Sequence, residues 1–250
     1  MAHQKSSPEL WLYGIHACRM ALCNPRRQIM SILVLPGTLA KVLKEGDLRD
    51  QYRSKVKEVD RKQLGSILPP GSVHQGIAVR VAPLPLFRIL DLKDNDAPHQ
   101  CVIVLDQLSD PHNVGAILRS AAVFGAKAVV LTDHHAPPES GVLAKSASGA
   151  LELVPLIRVT NLAQALKDLK NIGFWCVGLT EMSPQRLDQI DLKGKMALIV
   201  GAEGEGMRRL TKDLCDFTVY LPSASSFSTL NVSNAAAIAL YEIFRVQKNF

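Results

Sequence analysis

Three stretches of this chain place polar and charged side chains where a fold could use them for chemistry. Residues 200–207 read VGAEGEGM, a G-x-x-G-x-G turn with Glu203 between its glycines and Arg208 and Arg209 just beyond. Gly201 and Gly204 there permit positive φ or a close approach of backbone to a ligand. A turn that only reversed the chain would not need a carboxylate at that position. The order differs from the dinucleotide G-x-G-x-x-G, and no Gly-Lys-Ser/Thr follows as in a P-loop. Residues 110–121 read DPHNVGAILRSA, with Asn113 at a helix mouth and Arg119 further along. Gly115, Ala116 and Ala122 fall three or four residues from Arg119, on the same side of a helix. An arginine on a face of small residues points toward a close-packed neighbour; a helix-capping asparagine and a structural salt-bridge arginine are the plainer alternatives. Residues 221–234 read LPSASSFSTLNVSN, a hydroxyl- and amide-rich loop entering a helix of small apolar residues. Amides at such a helix start suit an anionic or polar group, although Asn231 or Ser233 there also suits a plain cap.

The elements that must hold these stretches alternate between apolar strands and helices. Strands are expected at 101–105, 128–131, 156–159, 175–179, 197–200 and 219–221. Helices are expected at about 113–124, 162–170 and 232–246, with a short helix within 137–149. This alternation predicts an α/β domain with a mainly parallel sheet covered on both faces. Ligands of such sheets sit beyond the carboxyl ends of the strands. The polar loops after Leu105, Leu179, Val200 and Leu221 all leave from those ends, so they form one candidate site. Ahead of this domain, residues 10–82 mix helical stretches at 14–22, 38–44 and about 55–64 with strands at 29–35 and 76–81. Residues 83–97, with prolines and the charged run DLKDND, read as a linker. The expected organisation is therefore 1–82, a linker at 83–97, and 98–250.

Charge separates the same two parts. Residues 1–82 carry 13 Lys and Arg against 6 Asp and Glu, a net +7, while residues 83–250 carry 16 against 17, a net −1. A basic module beside a neutral one suggests an anchor for a polyanion; a lysine-rich solvated surface is the alternative on charge alone. No apolar run of about 18 residues is present, so no membrane span is expected. The first residues, MAHQKSSPELWLYG, lack the regions of a signal peptide. Five scattered cysteines without a C-x-x-C pair read as reduced thiols of a cytoplasmic protein, with no metal site.

Taken together, DPHNVGAILRSA, the VGAEGEGM turn and LNVS in a late loop resemble, in order and spacing, the three motifs of the SpoU (TrmH) branch of the SPOUT RNA methyltransferases. YGIHA at 13–17 and VHQGIAVRV at 73–81 resemble the N-terminal domain of bacterial 23S rRNA guanosine 2′-O-methyltransferases. The resemblance implies an L30e-like α/β RNA-binding domain followed by a catalytic domain with a deep trefoil knot. It implies S-adenosylmethionine as cofactor, a homodimer, and ribosomal RNA rather than tRNA or DNA as partner. It carries catalytic roles onto Asn113, Arg119, Glu203, Thr229 and Asn231. It carries cofactor contacts onto Leu179, Thr180, Gly201, Glu203, Gly204, Leu221 and Leu230. The chain departs from the family loop at Ser223, Ser225 and Thr229, where Met, Gly and Ser are usual.

The reaction removes a proton from a ribose 2′-hydroxyl. Bringing any arginine to neutrality near pH 7 costs on the order of 8 kcal/mol. Arg119 is therefore expected to grip a phosphate and stabilise charge on the 2′ oxygen rather than act as base. Glu203 is expected to fix Arg119 or Asn113, and Asn113 and Asn231 to orient the ribose or hold loops. His112 is a second candidate base, to which the resemblance gives no role. A non-catalytic RNA-binding protein and a nucleotide-dependent oxidoreductase are the competing classes. The intact Asn113, Arg119, Glu203 and Asn231 argue against the first, and the misordered glycine turn against the second.

Overall fold

The computed structural model describes residues 10–42, 50–93, 97–224 and 230–249. They form two compact units.

The first unit holds residues up to Pro85 together with Pro138–Leu153. Its elements from the first part of the chain are β1 (Leu10–Tyr13), α1 (Ile15–Cys23), β2 (Ile29–Val34), α2 (Leu39–Val42), α3 (Asp50–Arg53), β3 (Val56–Glu58), α4 (Arg61–Ser66) and β4 (Ile77–Val81). The sheet order is β1-β4-β2-β3, with β4 antiparallel to both neighbours and β3 parallel to β2. Tyr13, Leu64, Leu68 and Ala78 lie in one apolar cluster of this unit. Asp60 caps α4 in a reciprocal capping box with Gln63.

Residues 138–153 were expected to belong with the rest of 98–250, but they pack with the first 85 residues. Gly141 lies so close to β1 that a Cβ there would sit 2.4 Å from the Trp11 carbonyl oxygen. Arg27 is buried at 1% exposure. Its Nη2 donates to Glu152 Oε1 at 2.6 Å, its Nη1 to Glu139 Oε1 at 2.5 Å and to the Ala82 carbonyl at 2.9 Å. Asn24 Nδ2 donates to the other Glu152 oxygen at 2.7 Å. Burial opposes the charge of Arg27, yet its guanidinium is held above its ordinary range because hydrogen bonding and attraction to Glu152, then Glu139, outweigh that burial.

The second unit, Leu86–Pro137 with Val154–Phe250, carries the remaining elements. These are β5 (Gln100–Asp106), α5 (Pro111–Val123), β6 (Val129–Thr132), β7 (Leu156–Val159), α7 (Leu162–Asn171), β8 (Trp175–Leu179), β9 (Lys195–Gly201), α8 (Arg209–Asp213), β10 (Phe217–Val219) and α9 (Val232–Lys248), while α6 (Gly141–Ser146) falls in the first unit. The sheet order is β10-β8-β9-β5-β6-β7, and every pairing is parallel. Every residue of β5 is buried, as a central strand covered on both faces requires. The expected linker is partly core: Ile89 and Leu92, in a 3-10 turn, join the cluster of Val104, Leu166 and Ile199. The chain builds outward from β5 through β6 to β7, then restarts on the other side, with β9 between β5 and β8. The order reverses between β5 and β9, and in open parallel sheets ligands bind beyond the carboxyl ends at such a point.

Candidate active site

The carboxyl ends of β5 and β9 are in register, Asp106 opposite Gly201. Asp106 is completely buried. It accepts from the Arg208 backbone N–H at 2.9 Å and from Arg208 Nε at 2.8 Å. One carboxylate thus pins the far end of the 201–208 turn to the central strand. Asp106 leaves only one signal in the sequence, a charge closing an otherwise apolar strand.

Within the turn, the Gly206 N–H closes on the Ala202 carbonyl at 2.9 Å, and Gly204 is left-handed at φ +81. Gly201 is needed by the turn itself: a Cβ there would lie 2.1 Å from the Gly206 carbonyl carbon and 2.2 Å from the Met207 nitrogen. A branched residue at 201 would therefore displace the turn before it met any ligand.

The turn presents Glu203 to the first turn of α5 and to the start of α9. Glu203 Oε1 accepts from Asn231 Nδ2 at 2.5 Å, Asn113 Nδ2 at 3.2 Å and the Val232 N–H at 3.4 Å. Asn231 Nδ2 also donates to Asn113 Oδ1 at 3.1 Å. The 201–208 turn, the first turn of α5 and the start of α9, far apart in sequence, are thereby clamped by side chains. Asn231 also caps α9, accepting from the Ser233 N–H at 2.9 Å, so the capping and clamping readings both hold. Asn113 is not the cap of α5. Asp110 is, accepting from the N–H groups of His112 and Asn113, with Pro111 in the first turn. Between the two partners expected for Glu203, the structure selects Asn113. Arg119 is exposed and makes no ion pair among the described residues, which differs from both the close-packed neighbour and the salt bridge considered for it. His112 is exposed as well. Ser225 and Thr229 lie outside the described residues.

Beside the clamp is a cavity of about 690 Å³. Leu179, Thr180, Gly201, Glu203, Gly204, Leu221 and Leu230 all line it, as does Ser223. Leucine side chains and glycine backbone offer an apolar slot edged by peptide groups, which suits a flat heteroaromatic ring with polar edges. Carboxylates on the wall suit a cationic tail. These features fit S-adenosylmethionine. Two cysteines of the second unit are held as thiols: burial pushes Cys176 and Cys215 up to about 12.

Known proteins are similar to this chain in sequence and fold. Residues 100–241 match the model of the SpoU rRNA Methylase family, and residues 11–87 match that of RNA 2′-O ribose methyltransferase substrate binding. The chain is 38% identical over 241 residues to the 23S rRNA (guanosine-2′-O-)-methyltransferase RlmB of Vibrio vulnificus, covering 94% of this chain and 96% of that protein. It is 40% identical over 239 residues to the RlmB of Haemophilus influenzae, covering 94% and 96%. The SpoU methyltransferase AviRb of Streptomyces viridochromogenes, in complex with the cofactor AdoMet, superposes with a TM-score of 0.77 at 23% identity, over 95% of this chain and 89% of that one. From end to end of the described fold, then, the chain belongs to the SpoU rRNA methylase family, the S-adenosylmethionine-dependent RNA 2′-O-ribose methyltransferases.

Proposed function

We propose that the chain methylates the ribose 2′-hydroxyl of a guanosine in 23S rRNA, as a cytoplasmic homodimer with S-adenosylmethionine in the cavity beside Glu203. The observation that carries the substrate is the identity of 38% over nearly the whole chain, both units included, to a relative named for that activity. The basic first unit supports an RNA anchor: Lys41, Lys57, Arg61 and Lys62 are all exposed. The homodimer is supported by Val123 at 72%, Tyr241 at 50% and Ile238 at 47% exposure on α5 and α9, apolar surface that a second copy would cover. Light-scattering mass checks it, and a monomer at micromolar concentration would exclude it. No helix among the described residues is long and apolar enough to cross a membrane. The trefoil knot belongs to the same proposal, supported by β9 lying between β5 and β8 and by the segments after β9 and β10 both reaching the cavity.

S-adenosylmethionine, when bound, supplies an electrophilic methyl group. This chain's residues then have separable tasks. Asp106 and Arg208 hold the glycine turn. Glu203, Asn113 and Asn231 keep the glycine turn, the first turn of α5 and the start of α9 together beside the cavity. Arg119, outside the cavity wall, is free to take a phosphate and to stabilise negative charge on the 2′ oxygen as its proton leaves toward that phosphate or water.

The function is tested by mapping ribose methylation in total RNA from cells with and without the protein. Loss of one 2′-O-methylguanosine in 23S rRNA is expected, whereas loss confined to tRNA would overturn the substrate. The cavity is tested by Ala235→Phe. Ala235 lines it from the first turn of α9 and is only partly buried. Its phenyl ring should weaken cofactor binding at least about tenfold by occupying the space, with little change in melting temperature. Unchanged calorimetric affinity in the folded variant would place the cofactor elsewhere.

A further inference from the structure

The charge on the cavity wall is one-sided. Among its described residues are three carboxylates, Glu181, Glu203 and Glu205, and no lysine, arginine or histidine. Glu203 is engaged in the clamp. Glu181 and Glu205 are exposed, and neither makes a hydrogen bond or ion pair among the described residues. They sit on different loops, after β8 and after β9. Neither charge is neutralised by a described residue, so both act on the cavity from its wall.

The two forms of the cofactor differ in charge. The methyl donor carries a sulfonium and an ammonium against one carboxylate, leaving one net positive charge. On transfer, the bond from sulfur to methyl breaks as the bond from methyl to the 2′ oxygen forms. The sulfur keeps the electron pair, and the hydroxyl proton leaves to phosphate or water. The spent thioether is neutral overall, with the same adenosine and amino-acid ends.

We propose that Glu181 and Glu205 make the cavity discriminate between these forms, holding the cationic donor more tightly than its neutral thioether product. This rests on the reading of the cavity as the cofactor site. The reaction then weakens the hold on its own product, and the donor displaces it. Both side chains are exposed, so solvent screens them, and each is expected to contribute a preference of about three- to tenfold rather than orders of magnitude. The preference must fall with ionic strength, because the Debye length shrinks from about 10 Å at 0.1 M to about 3 Å at 1 M.

The experiment is calorimetric titration of the full-length protein with S-adenosylmethionine, S-adenosylhomocysteine and sinefungin, a non-reactive analogue whose amine replaces the sulfonium methyl. The wild-type protein should bind the two cations about tenfold or more tighter than the neutral thioether at low salt. Glu181→Gln and Glu205→Gln keep side-chain shape. Each should weaken both cations about threefold or more while leaving S-adenosylhomocysteine within about twofold. Equal weakening of all three ligands, or an unchanged preference, would overturn the proposal. If Ala235→Phe still weakens binding at least about tenfold in that case, the cavity remains the cofactor site and only the discrimination is lost. If Ala235→Phe and both glutamine variants all bind as wild type, the site assignment itself fails.

Discussion

Arg119→Lys is expected to slow the methyl-transfer step by about a hundredfold or more, the scale seen when an oxyanion donor is removed, while the protein folds and binds cofactor as before. The stability half of this expectation follows from the structure. Arg119 is exposed and unpaired among the described residues, and α5 is anchored through Val114, Ile117, Leu118 and Ala121 on its buried side. Lysine and arginine have similar helix propensities, and surface changes away from packing features usually stay within about 0.5 kcal/mol. The catalytic half is the proposed role of Arg119 at the 2′ oxygen. Asn113, on the same helix, is bonded to Glu203, so the register of α5 relative to the cavity rim is fixed. Arg119 lies six residues further on, about 9 Å along the axis at 1.5 Å per residue, on the exposed side of α5. A planar fork there can hold a phosphate oxygen and the 2′ oxygen together; an ammonium keeps the charge but not the paired geometry. Single-turnover methylation with melting curves on the same samples decides it. A folded lysine variant with a near-normal rate would remove Arg119 from the chemistry and return attention to His112.

How far the sequence carried this reading depends on the signal each element left in it. β7 and β8 stand where apolar runs placed them. β5 and β9 are longer than expected because Gln100, Asp106 and Lys195 belong to the pairing, and register, not hydrophobicity, puts them there. β1 went unread because LWLY is four residues with no neighbouring pattern, and only its pairing with β4 makes it a strand. β3, VKE, was read as the start of a helix: a three-residue edge strand with two charges carries no apolar signature, and pairing with β2 overrides local preference. Prolines and charges around 83–97 hid Ile89 and Leu92, which are core. At the site, motif spacing found Asn113, Glu203 and Asn231, but it could not say which of them touch. Asp106 looked like the first residue of a loop, and a buried carboxylate becomes visible only once Arg208 is seen across from it. That residues 138–153 pack with the first 85 has no one-dimensional signature at all.

That last feature carries the largest stability effect expected here. Arg27→Met should destabilise the first unit by about 3–5 kcal/mol, the usual cost of stranding a buried charge. The partners it leaves are Glu152, whose side chain is 2% exposed, and Glu139 at 17%. Methionine fills much of the volume, so the loss is electrostatic rather than a cavity. The cause is separable from packing, because Glu152→Gln added to Arg27→Met removes the stranded charge and should recover part of the loss. A double variant no more stable than the single, or a single variant losing less than about 1 kcal/mol, would mean that water reaches Glu152. The chain carries two tryptophans, Trp11 in the first unit and Trp175, 53% exposed, in the second. In a Trp175→Phe background, urea unfolding followed by fluorescence reports the first unit alone. The same network bears on how the RNA anchor can be tested. Deleting residues 1–82 would remove Arg27 and leave 138–153 without its core, so the remaining 83–250 should lose stability as well as RNA affinity. Neutralising exposed Arg61 and Lys62 in the full chain avoids that. For each phosphate the variant no longer neutralises, the salt dependence of RNA binding should flatten by about 0.7–0.9 in log–log slope.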